Sequence, residues 1–102
     1  MKKIFLKSFG IYLNGREEGA SAFQILEKEI LSLQKGEQLF FDLSDVIVLA
    51  PSWCDEFFGE AEKKHSGRIV IDNSIHMGLK KSFDVVAEAR DISFSFGAFS
   101  RS

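Results

Sequence analysis

The chain has 102 residues, 45% hydrophobic and 27% charged, which fits one small globular domain, residues 1–102, and excludes a disordered chain. Its net charge of −2 comes from mixed charges with no basic block, which argues against non-specific nucleic-acid binding. One cysteine, Cys54, excludes an internal disulfide and a cysteine-rich metal site.

The start, MKKIFLKSFG, is too broken for the apolar segment of a signal peptide. No run reaches the ~18 apolar residues of a membrane helix, so a cytoplasmic setting without membrane contact is expected. Ile4-Phe5-Leu6 predicts a strand over residues 3–7, and residues 9–13 form a second short extended piece before Asn14-Gly15 breaks the pattern. A helix is predicted from Arg16, with Glu17 and Glu18 in its first turn, where negative charge suits the dipole. Its apolar residues Phe23, Leu26, Ile30 and Leu33 step by three, four and three, the stripe of a helix packed on a sheet. Residues 38–42 (QLFFD) read as a buried strand and 44–49 (SDVIVL) as a second, β-branched run.

A helix over 52–64 follows, with Cys54, Phe57, Phe58 and Ala61 on one inward face. Residues 68–72 predict a strand, 74–90 a helix striped by Ile75, Leu79, Phe83 and Val86, and 92–96 a period-two strand at a sheet edge. Helices alternating with strands imply a layered α/β domain with a mixed β-sheet and about three helices.

The stretch Ala50-Pro51-Ser52-Trp53-Cys54-Asp55-Glu56 is the most informative. Ser52 is predicted to cap the helix, with Asp55 three residues on in the capping-box place and Pro51 just outside. The same geometry would receive a phosphate on Ser52 at the free N–H groups of the helix start, although Asp42, Asp45, Asp55 and Glu56 oppose an added anion. Trp53, toward the edge of the inward face, reads as interface material.

Phe41-Asp-Leu-Ser-Asp-Val-Ile-Val-Leu-Ala-Pro-Ser-Trp-Cys-Asp-Glu-Phe-Phe-Gly59 resembles the central strand, turn and helix of the STAS superfamily, which includes the anti-sigma factor antagonists. It is most similar to bacterial STAS-like domains of unknown function. Leu13-Asn-Gly-Arg-Glu-Glu-Gly19 resembles that group's lead-in to the first helix, and the likeness spans residues 4–89. The resemblance implies a single STAS-like domain acting as a non-catalytic regulatory and signalling module. It implies a docking face at the turn and the helix after it, with Ser52, Trp53, Asp55 and Glu56 as partner-binding residues. It also implies a protein partner, a histidine-kinase-type ATPase or an anti-sigma factor-like protein. In the antagonists the first serine of Asp-Ser-Ser-Gly-Leu is the one phosphorylated, a position that falls here on Pro51; Ser52, and secondarily Ser44, are the candidate acceptors in its place.

No cofactor or metal is expected. His65 and His76 lie eleven residues apart without a metal-ligand spacing, and Gly15-Arg-Glu-Glu-Gly19 lacks the lysine of a phosphate loop. The alternative is a small enzyme or ligand-binding domain using Cys54, in the first turn of its helix, or the histidines. A homodimer through the edge strand 92–96 is a further expectation.

Overall fold

The computed structural model describes residues 1–100. In chain order it runs β1 (Lys2–Phe5), a 3-10 turn (Leu6–Phe9), β2 (Tyr12–Leu13), α1 (Arg16–Leu31), β3 (Leu39–Asp42) and β4 (Val48–Leu49). Helix α2 then occupies residues 51–64, followed by β5 (Ile69–Asp72), α3 (Met77–Arg90) and β6 (Phe96–Gly97). The four-stranded sheet has the order β1-β3-β5-β6, and β2 and β4 form a separate two-stranded ribbon.

The chain is an α/β domain with three helices, as its alternating pattern predicts, but the sheet is not mixed. Every pairing is parallel, with Ile4 opposite Phe41, Phe41 opposite Ile71, and Ile71 opposite Phe96. The reason lies in the connections: α1, α2 and α3 each carry the chain from one sheet strand to the next, and parallel neighbours need such crossovers where a hairpin would give an antiparallel pair.

Strands β3 and β5 read Leu-Phe-Phe and Ile-Val-Ile because both of their faces are covered. Leu39, Phe41, Ile69 and Ile71 point into the main core with the helix stripes. Phe40 and Val70 point the other way; the Phe99 ring sits edge-on over Phe40 at 5.5 Å. On the helix side Phe41 meets Phe57 and Phe58, and Phe83 meets Phe58, Phe94 and Phe96, all with centroids within 6 Å. The alternation of Phe94 and Phe96 is therefore a true inward pattern, although only Phe96–Gly97 pairs as strand, at the sheet edge.

Helix α2 is continuous, with a π-helical turn over Asp55–Gly59 between α-helical turns. Its predicted inward residues, Cys54, Phe57, Phe58 and Ala61, are fully buried. The cap differs from expectation. Ala50 is the N-cap and Pro51 the first helical residue, where its missing N–H and fixed φ are favourable; Ser52 is the second helical residue and makes no cap hydrogen bond. The run at 44–49 contributes only Val48 and Leu49 to a strand, because Asp45 turns the chain at a φ of 68° and sends Val46 into the core.

Candidate functional site

Around the α2 start the chain is tied to itself. Gly19 of α1 presses on the Trp53 backbone; a Cβ at that glycine would lie 2.8 Å from the Trp53 carbonyl oxygen. With α1 on one side and Phe9 at 6.4 Å on another, Trp53 is 2% exposed and stacks on Phe57 at 4.5 Å. This overturns the expectation of a solvent-facing partner residue. The angular position toward the edge of the helix face is right, but that edge is where α1 packs.

Asp55 and Glu56 are likewise engaged. Arg16 Nη1 donates to Asp55 Oδ2 at 2.6 Å and to Glu56 Oε1 at 3.2 Å. Arg90, from the end of α3, donates from Nε to Asp55 Oδ1 at 2.5 Å and from Nη1 to Glu60 Oε2 at 2.8 Å. The Arg90 bond, joined by Arg16, holds the Asp55 carboxyl below its ordinary range despite partial burial. Asp55 therefore acts as a clamp between three helices and not as the capping-box acid of its own. Ser52 keeps partial exposure, in a shallow crevice of about 120 Å³ with Pro51, Arg16 and Val85.

The residues behind an enzymatic alternative are also occupied. Cys54 is fully buried, and burial, then the adjacent Asp55 charge, pushes its thiol pKa up, away from the reactive thiolate. His65 Nε2 meets Glu27 Oε2 at 2.8 Å, and His76 Nδ1 accepts from the Gly78 N–H at 3.0 Å as the cap of α3. Among the described residues no three His, Cys, Asp or Glu side chains stand close enough to hold a metal.

The open surface lies at the carboxyl ends of the sheet strands, on the ribbon that leads into Ala50-Pro51. Tyr12 (61% exposed) pairs with Val48, and the Ile47 N–H donates to the Ile11 carbonyl at 2.8 Å. Ile47 is 57% exposed, and Val48 lines a crevice of about 340 Å³ that also contains His76 and Gly78, the residues on either side of Met77, itself 77% exposed. Thus five of the nine large hydrophobic side chains exposed among the described residues (Ile11, Tyr12, Ile47, Val48 and Met77) belong to this ribbon and the start of α3.

A second crevice, of about 240 Å³, shares Val46, His76 and Leu79 with the first and adds Asp42, Asp45 and Asp72. Two copies of one local motif build it. Asp42 Oδ1 accepts from the Ser44 N–H at 2.8 Å and hydroxyl at 2.5 Å; Asp72 Oδ1 accepts from the Ser74 N–H at 2.9 Å and hydroxyl at 2.8 Å. The Ser44 hydroxyl bond, joined by the Ser44 N–H, holds the Asp42 carboxyl below its ordinary range, with Lys3 and Lys7 contributing. Ser44 is exposed, but its hydroxyl is committed to Asp42. The signal for this crevice was in the sequence, as Asp-x-Ser after each of the two buried strands, Asp42-Leu-Ser44 and Asp72-Asn-Ser74.

Compared with family models, curated proteins and solved structures, the chain matches none.

Proposed function

We propose that the chain is a non-catalytic docking module that engages a protein partner through the ribbon β2–β4 and the adjoining start of α3. The observation that carries this reading is the exposure of Ile11, Tyr12, Ile47 and Val48 on one paired ribbon, with Met77 exposed between His76 and Gly78 of the crevice that Ile47 and Val48 line. Soluble domains seldom leave large apolar side chains contiguous unless something covers them. Tyrosine and methionine are enriched where partners meet, the first for its rigid contact area and the second for its adaptability. Strand β4 runs straight into Ala50-Pro51-Ser52, so the turn expected to dock a partner borders this patch even though Trp53 lies beneath the surface. The partner class is the one the resemblance of residues 41–59 implies, a histidine-kinase-type ATPase or an anti-sigma factor-like protein.

The test places a photo-crosslinking side chain at Met77, at Val85 beside Ser52, and at Lys64 on the far end of α2, and compares the adducts formed in the native cell. Tyr12→Lys in each background serves as competitor. The reading requires a discrete adduct from position 77 that Tyr12→Lys removes. Adducts from position 85 alone would move the interface to the Ser52 crevice, and none from either would remove it.

A further inference from the structure

The charges beside the apolar patch do not balance, and the imbalance specifies what the partner brings. The acid crevice contributes three carboxylates, Asp42, Asp45 and Asp72. Lys7 Nζ sits 2.9 Å from Asp45 Oδ2, and Lys3 Nζ lies 4.0 Å from Asp42 Oδ2. Asp72 takes only the N–H and hydroxyl of Ser74 and has no cationic partner among the described residues. Lys80, on the adjoining helix, is turned over the Phe96 ring at 5.7 Å. One half-buried carboxylate is thus left over, its Oδ2 unused by the Ser74 turn, in a crevice continuous with exposed Ile47 and Val48.

We propose that the joined crevices bind a partner segment carrying one arginine beside apolar side chains, with the guanidinium on Asp72 and the apolar residues against Ile47, Val48 and Met77. Arginine suits this place better than lysine. Its planar fork can bond Asp72 Oδ2 and a second acceptor at once, and it sheds water more readily than an ammonium does in a narrow crevice. A neutral or acidic segment would leave Asp72 desolvated and unpaired, which selects against it. The inference rests on the docking reading above and adds its chemistry.

The probe is a fluorescein-labelled hexapeptide, Ser-Arg-Val-Tyr-Val-Ser, compared with its isosteric citrulline counterpart by fluorescence anisotropy on the full chain. The arginine peptide is expected to bind at least ten-fold more tightly, with the difference shrinking in high salt. Asp72→Asn keeps the Ser74 turn intact and is expected to abolish the preference without changing binding of the citrulline peptide. Equal binding of the two peptides, or a preference that survives Asp72→Asn, overturns the arginine assignment. In that case, binding still lost on Met77→Lys would leave the docking reading standing, whereas binding indifferent to Met77→Lys would remove both. Self-association of the chain, seen by light scattering and removed by Met77→Lys, would give the patch to a second copy and also overturn the proposal.

Discussion

Replacing Glu62 by glutamine should stabilise this protein at neutral pH. Glu62 is 7% exposed, its Oε2 has no hydrogen-bond partner, and its Oε1 reaches only the Gly67 N–H, at a long 3.4 Å. Burial pushes its carboxyl pKa up, and the Gly67 N–H opposes this only in part. The native state therefore holds the Glu62 proton more tightly than the unfolded chain, whose glutamates titrate near ~4.3. As pH rises through the interval between the two values the unfolded chain releases its proton first, so stability falls across it and the penalty is constant above it. Glutamine leaves an unpaired polar atom at the same place but removes the charge, and an unsatisfied buried charge costs more than the about 1–3 kcal/mol of a neutral group. The residual Gly67 contact and the position near the helix end favour about 1 kcal/mol for Glu62→Gln at pH 7, which for a domain of this size is roughly 4–8 °C in Tm. Urea denaturation of parent and variant from pH 4 to pH 8 measures it. A gap that opens with rising pH and then levels is the expected result. A variant no more stable than the parent at pH 7, or a gap independent of pH, would refute the reasoning.

Three further outcomes follow from the packing of α2. Trp53→Ala should cost about 3–5 kcal/mol, a large share of a small domain's stability, because it empties a stacked and covered site; a near-native melting curve would show that α1 does not seal the helix start. Gly19→Ala should cost about 1–3 kcal/mol, since its methyl meets the Trp53 backbone, which cannot turn aside; a melting curve unchanged by the substitution would contradict the close approach. Asp55→Asn should destabilise by about 1–2 kcal/mol above pH 4. Because Arg90 and Arg16 lower the native Asp55 pKa, that difference should close as pH falls through it, and acid titration of both proteins by circular dichroism reads the result.

Much of the fold was legible because the apolar spacing is regular. Phe23, Leu26 and Ile30 mark the buried side of α1, and Leu79, Phe83 and Val86 that of α3, as the three–four stepping predicts. The continuous runs Leu39–Phe40–Phe41 and Ile69–Val70–Ile71 announced strands covered on both faces. What periodicity could not supply was which element covers which edge. The burial of Trp53 depends on Gly19, 34 positions earlier, having no side chain. The role of Asp55 depends on Arg90, 35 positions later, arriving at the same place. The cap misreading was local: Pro51 satisfies the first helical position without a side-chain partner, so Ser52 was not needed as the cap. The acid crevice was written twice, at Asp42 and Asp72, but only the parallel register that sets β3 beside β5 brings the two copies together.

These long-range facts separate two neighbouring places that look alike in one dimension. The turn at Ser52 is rich in groups that could hold a partner, yet Arg16 and Arg90 already occupy its carboxylates and α1 already covers its tryptophan. Each interaction made within the chain would have to be broken before another molecule could use the same group, with the loss of a charge-assisted bond or of buried aromatic area. The ribbon a few residues upstream makes no such demand. Tyr12, Ile47 and Met77 are exposed already, and Asp72 retains an oxygen that the Ser74 turn does not use. Binding there would gain apolar burial and an ion pair without dismantling either the core or the three-helix clamp, so on energetic grounds the ribbon end, not the helix start, is where a docking partner has the most to gain.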